Sequence, residues 1–135
     1  NTLSEERDGR TVWKMTAAQL NVDIDTNDTS MTAIDGTFYT EDGRSLTLKA
    51  AEGRMDGKTH DVVVTGNIEA QTSDGASLRA KQLRWTAAEG SLSAEGDAVL
   101  IRDDIRATGD RIVSTDGFQK FSVIGNARVE KGGTK

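Results

Sequence analysis

The 135-residue chain has no cysteine, no proline, a single histidine and only 4% aromatic residues. Without cysteine there is no disulfide framework and no thiolate site. A domain of this length must hold itself together by burying roughly two thirds of its unfolded surface; the lack of cysteine fits the cytosol and an export route alike. Without proline, against an average usage of roughly 5%, nothing removes a backbone donor from a β-ladder. Trp13, Trp85, Phe38, Tyr39, Phe118 and Phe121 are the whole aromatic set, too scattered for a base-stacking platform or an aromatic sugar ramp. No excess of basic residues exists either. The net charge is −5, and lysines and arginines are interspersed with carboxylates, which argues against a nucleic-acid partner. No apolar run approaches the roughly 20 residues of a membrane span, and no signal-peptide core is present.

These scarcities also thin the candidates for chemistry. His60 is the one histidine on which a Ser-His-Asp triad would depend. It lies between polar neighbours at the head of a strand, with no glycine-elbow serine, so it reads as a solvated turn residue. Asp23, Asp25 and Asn27 open like a calcium loop, but Asp28 stands where the turn needs glycine and Ile34 where a bidentate glutamate is required. A polar turn whose side chains bond their own backbone is the better reading. Asp103 and Asp104 are adjacent, and adjacent strand residues point to opposite faces. We therefore expect no catalytic residue, no metal and no cofactor.

What the sequence has is a repeat. Gly36, Gly66, Gly96 and Gly125 stand 30, 30 and 29 residues apart. Ile34, Val64, Ala94 and Val123 lie two positions before them, and Phe38, Ile68, Ala98 and Ala127 two after, a period-two pattern that makes each segment a strand with one buried face. Between these strands runs a second element, Met15/Ala17, Leu48/Ala50, Leu78/Ala80 and Ile105/Ala107. Its next apolar residues, Val22, Met55, Trp85 and Ile112, fall an odd seven positions after the first. Odd spacing cannot stay on one flat face, so a bulge or bend is expected near Ala18, Ala51, Lys81 and Thr108. Asp-Gly steps and links of about three to seven residues favour hairpins over parallel crossovers. The expected fold is all-β, a bent antiparallel meander of four ~30-residue repeats, ordered from about Thr11 to Glu130. Residues 1–10 are expected to form a disordered or linker segment and residues 131–135 a flexible tail.

The segment Val62-Val63-Val64-Thr65-Gly66-Asn67-Ile68-Glu69-Ala70, followed by an Asp-Gly turn and Leu78-Arg79-Ala80-Lys81-Gln82-Leu83-Arg84-Trp85, resembles the repeat of the OstA-like lipopolysaccharide transport proteins. Trp13-Lys14-Met15-Thr16-Ala17, Ala98-Val99-Leu100-Ile101-Arg102 and Ile105-Arg106-Ala107-Thr108-Gly109 are similar to strands of the LptC branch, with a soluble LptA-like bridge protein as the alternative. The resemblance implies a boat-shaped, twisted antiparallel β-jellyroll with an open apolar groove for lipid A acyl chains. It also implies a place in the periplasm, anchored to the inner membrane by an N-terminal helix upstream of Asn1. The implied partners are lipopolysaccharide, LptF/LptG at the N-terminal edge, LptA at the C-terminal edge and further copies joined through edge strands. Parity selects the groove-lining candidates: Met15, Leu20, Met31, Ile34, Phe38, Leu48, Met55, Val62, Val64, Ile68, Leu78, Leu83, Trp85, Leu92, Leu100, Ile105, Phe121 and Val123. The expected partner edges are Thr11, Trp13 and Met15 at one end and Phe121, Val123 and Ala127 at the other. A cargo-free β-repeat protein with a dry core is the competing class, and an enzyme on a parallel β-helix is a third.

Overall fold

The computed structural model describes residues 1–132. Ten strands follow one another: β1 (Thr2–Arg7), β2 (Arg10–Val22), β3 (Thr29–Tyr39), β4 (Ser45–Met55), β5 (Val62–Thr72), β6 (Ser77–Thr86), β7 (Ser91–Arg102), β8 (Ile105–Ser114), β9 (Ser122–Ile124) and β10 (Arg128–Lys131). They form one sheet in the order β1-β2-β3-β4-β5-β6-β7-β8-β10, with β9 beside β10 along the outer edge of β8. Each described pairing is antiparallel. The meander follows from hairpin links too short for parallel crossovers, which removes the β-helix.

The long strands bend across a common crease, and the sequence shows how. In β4 the buried Leu46, Leu48 and Ala50 are followed inward by Gly53 and Met55, so facing inward again takes three residues instead of two. β6 does the same between Ala80 and Leu83. β5 takes four, from Val64 to Ile68, because Gly66-Asn67 together face Lys81. The ladders shift again where β7 carries Gly96-Asp97, against β6 and against β8, and Gly125-Asn126 separates β9 from β10. At all three steps both residues have positive φ: 104° and 55°, 88° and 49°, 80° and 50°. Glycine and Asn/Asp are the residues that adopt this conformation most cheaply.

Two expectations change here. Gly36 is not a fourth such step; in β3 the positive φ belongs to Ala33, at 51°, and β2–β3 and β3–β4 pair without a register shift. The ladder irregularities fall beside Ala51 and Lys81 as expected, but the surplus residue sits on the facing glycine strand. Ala18 has no register shift, and Asp110, not Thr108, faces Gly96-Asp97.

Residues 1–10, expected as a linker, are also corrected: Thr2–Arg7 pairs with Arg10–Thr16 through the two-residue Asp8-Gly9 turn. Both turn residues have positive φ, the geometry that matches hairpin twist. Of the expected tail at 131–135, Lys131 ends β10, and 133–135 lie outside the described residues.

The bend folds the inner faces of the two half-sheets onto each other. Phe38 of β3 and Trp85 of β6, strands that are not neighbours, meet with ring centroids 5.7 Å apart. Trp13, Met15, Ala94, Ala98, Leu100, Ala107, Ile112 and Phe118 are sealed from solvent at the centre of the resulting core.

The turns at one end of the strands interlock. Asp23-Ile24-Asp25-Thr26-Asn27-Asp28 and Asp56-Gly57-Lys58-Thr59-His60-Asp61 share one design: the first aspartate accepts from the amides two and three residues on, and the threonine hydroxyl accepts from the last aspartate's amide. Asn27 and His60 take the positive φ in each. Each closing aspartate then reaches the next turn, Asp28 accepting from the Gly57 amide and Asp61 from the Ala87 amide, at 2.7 and 2.8 Å. The calcium-loop resemblance and the lone histidine are thereby accounted for as turn chemistry. His60 in addition meets Glu5 of β1 at 2.9 Å.

Candidate functional site

Of the lining candidates, Met15, Met31, Ile34, Phe38, Leu48, Val62, Val64, Ile68, Leu78, Leu83, Trp85, Leu92 and Leu100 are buried in one contiguous cluster. Leu20, Met55, Phe121 and Val123 pack against it half-exposed, while Ile105 is half-buried beside the β7–β8 turn, outside that cluster. Along most of its length the trough is therefore filled by its own side chains. Val12, Leu46, Ile112 and Phe118 also belong to the cluster and were not among the candidates. Leu46 keeps the parity of Leu48 and was legible. Phe118 lies in a connection, where periodicity carries no information.

The trough opens at one end. A cavity of about 390 Å³ lies between the half-sheets, floored by Val12, Phe38, Leu46, Trp85 and Leu92. Arg7, Arg10 and Arg44 rim it together with Glu41 and Asp42, and Ser114–Gly117, which include Asp116, form one wall. Arg7 donates to the Ala87 carbonyl oxygen at 3.2 Å, tying the end of β1 to the opposite half-sheet. A larger concavity of about 870 Å³ lies on the outer face, lined mainly by polar side chains such as Lys14, Thr37, Thr47, Gln71 and Arg79.

Beside the mouth, three segments converge on Asp74 of the β5–β6 turn. Arg44 Nη1 stands 3.4 Å and Arg102 Nη1 3.2 Å from Asp74 Oδ2, and Gln119 Nε2 donates to the same carboxylate at 3.4 Å. The Thr72 hydroxyl first, then Arg102 and Gln119, lower the Asp74 pKa from 3.8 to about 2, against a desolvation that raises it. A depressed carboxylate stabilises the fold fully above its unfolded pKa, and that contribution fades as pH falls through the folded one. Wild type should thus exceed Asp74→Asn in urea midpoint at pH 5–7. The gap should close between about pH 4 and pH 2, as followed by denaturation at a series of pH values.

The expected partner edges are half corrected. Thr11, Trp13 and Met15 lie on β2, which has β1 on one side and β3 on the other, so β1 is the N-terminal edge of that half-sheet. In the other half-sheet, the stretch of β2 from Gln19 to Val22 pairs with β3 alone. At the far end Val123 is in β9, and Phe121 and Ala127 immediately precede β9 and β10, the outermost strands. Among the described residues no cluster of His, Cys, Asp or Glu is arranged to hold a metal ion, and no helix is long and apolar enough to cross a membrane.

A single antiparallel sheet, creased so that its apolar face forms a trough with a mouth rimmed by arginines and carboxylates, defines a β-jellyroll of the OstA-like class. Consistent with this, the crystal structure of LptH from Pseudomonas aeruginosa, the LptA-homologous periplasmic component of its lipopolysaccharide transport device, superposes with a TM-score of 0.68. That alignment covers 91% of this chain and 95% of LptH at 10% sequence identity. No curated protein sequence matches. The model of the lipopolysaccharide-assembly, LptC-related family matches residues 1–84. The chain belongs to that family, whose members are periplasmic lipopolysaccharide transport proteins and not enzymes.

Proposed function

We propose that this domain is an LptC-like carrier that takes lipopolysaccharide from the LptF/LptG transporter and passes it to LptA, holding the lipid A acyl chains in its trough. The observation that carries the reading is the composition of the mouth: an apolar floor of Val12, Phe38, Leu46, Trp85 and Leu92, with the guanidinium groups of Arg7, Arg10 and Arg44 at its rim among the carboxylates of Glu41, Asp42 and Asp116. Such a site matches an amphiphile with fatty chains on one side and phosphates on the other, since arginine pairs bidentately with phosphate. Each buried CH₂ contributes roughly 0.8 kcal/mol, so affinity needs no further polar contact. In this scheme an N-terminal helix anchors the domain to the inner membrane, as the family resemblance implies. LptF/LptG meets the β1 side of the sheet and LptA adds to β9 and β10. Backbone groups of an edge strand offer themselves to another strand, and the same edges serve copies of this chain. A photo-crosslinking residue at Phe38 should capture lipopolysaccharide in cells, whereas one at Val63, whose neighbours Val62 and Val64 point inward, should not. Equal labelling at both positions would refute the carrier role, and a cargo-free β-repeat would label at neither.

A further inference from the structure

The connection between β8 and β9 is built as a separate rigid piece. The Ser114 hydroxyl donates to the Lys120 carbonyl oxygen at 2.6 Å and accepts from the Phe118 amide at 2.9 Å. Asp116 Oδ1 accepts from the amides of Gln119 and Lys120 at 3.2 and 3.0 Å. The loop thus satisfies much of its own backbone. Gly117 and Phe118 both have positive φ, 75° and 67°, and the Phe118 side chain is driven into the core with no solvent exposure.

Three of its polar ties to the rest of the molecule converge on one place. Arg44 Nη2 donates to the Asp116 carbonyl oxygen at 2.6 Å, Arg102 Nη2 to the Phe118 carbonyl oxygen at 3.0 Å, and Gln119 to Asp74. Asp74 holds both arginines in turn, and Asp42 shares Arg44, its Oδ2 lying 3.0 Å from Nε. Arg102 Nε is buried without a partner, so this guanidinium has an unused donor. Ser114–Gly117 and Arg44 also line the mouth.

We infer that residues Thr115–Lys120 are a lid on the trough, latched by Asp74 through Arg44 and Arg102, and that the phosphorylated head group of an entering amphiphile opens it by competing with Asp74 for those two arginines. This rests on the carrier reading for its ligand and on the loop geometry for the lid itself. Phosphate offers more acceptor oxygens than a carboxylate and more charge, so it is a fitting competitor. Opening the loop withdraws Phe118 from the core and widens the cavity that Ser114–Gly117 now wall.

Hydrogen exchange followed by mass spectrometry on Asp74→Asn tests the latch without any lipid. Relative to the amides of β4–β7, amides 115–120 should exchange at least tenfold faster than they do in wild type, over and above the common rise that the lower stability of Asp74→Asn brings; no change, or the same rise in loop and strands, overturns the latch. Association rates test the ligand. Dephosphorylated lipid A should enter wild type about tenfold more slowly than phosphorylated lipid A, and Asp74→Asn should remove most of that difference. Equal rates for the two lipids in wild type overturn the head-group trigger. Inorganic phosphate that alone speeds exchange at 115–120 overturns it too, by assigning the arginines to free phosphate. If neither lipid binds either protein, the carrier reading fails and so does the head-group trigger, while the exchange result still decides the latch.

Discussion

Gly66→Val should cost about 3 kcal/mol or more of stability, visible as a large fall in melting temperature or as loss of the folded form. A Cβ on Gly66 would stand 2.6 Å from the Ala51 Cβ and 3.1 Å from its amide nitrogen, at a φ of +104°. A β-branched residue in this region carries a backbone penalty of roughly 1–3 kcal/mol, and the clash adds overpacking strain of similar size. Relief would require β4 and β5 to separate at the crease, where both half-sheets depend on the same backbone. Gly36→Ala is the control. A Cβ there meets Leu48 and Met15 at an ordinary 3.5 Å, and its φ is not left-handed. Alanine also reduces the entropy of the unfolded chain, worth about 0.4–1 kcal/mol where it fits. Equal or raised stability is expected for Gly36→Ala, measured by urea denaturation of both variants side by side. Similar losses in the two would mean that the crease does not depend on the Gly-Asn geometry.

Trp13→Ala should lower stability by about 3–5 kcal/mol, the usual range for emptying a large aromatic site. That is a large share of the roughly 5–15 kcal/mol available to a domain. Trp13 is fully buried between β1 and β3, and the cavity would sit under the strand that carries Arg7 to the mouth. Its indole Nε1 has no partner, and such a group costs on the order of 1–3 kcal/mol. Trp13→Phe removes that orphan donor along with part of the contact area, so it should lose far less, about 1 kcal/mol. Urea midpoints at constant m-value separate the two. If Trp13→Phe proved as damaging as Trp13→Ala, Nε1 would have a role beyond packing.

Most of the architecture was readable because period-two alternation and burial report the same physical fact. Leu78, Ala80, Leu83 and Trp85 reveal a strand and, through their odd interval, the place where it turns a corner. Which strand supplies the surplus residue was harder to read, since odd spacing on one strand and even spacing on its neighbour are the same event. The clue was the residue after each glycine: Asn67, Asp97 and Asn126 tolerate a left-handed backbone, whereas Thr37 after Gly36 does not share that tolerance. Asp8-Gly9 announced the β1–β2 hairpin, but Thr2–Arg7 is polar because its strand lies at the border of the sheet with only Leu3 and Glu5 turned inward. Composition at an edge looks like a linker. The mouth was less legible still, because Arg7, Arg44 and Phe118 come together through loops and through the folding of one half-sheet onto the other. No local pattern encodes that meeting.

The path of hydrogen bonds from β1 to β10 never returns to its start, and that gives the molecule a front and a back made from different sequences. A border paired with its own copy would close a two-fold pair, whereas units joined front to back line up nose to tail, since the two borders differ. A relay assembled in the second way has an arrow built into its geometry, with every member facing the same way. A hydrophobic passenger would then inherit its heading from the order of the queue, while the work of pushing is left to whatever stands at the first position.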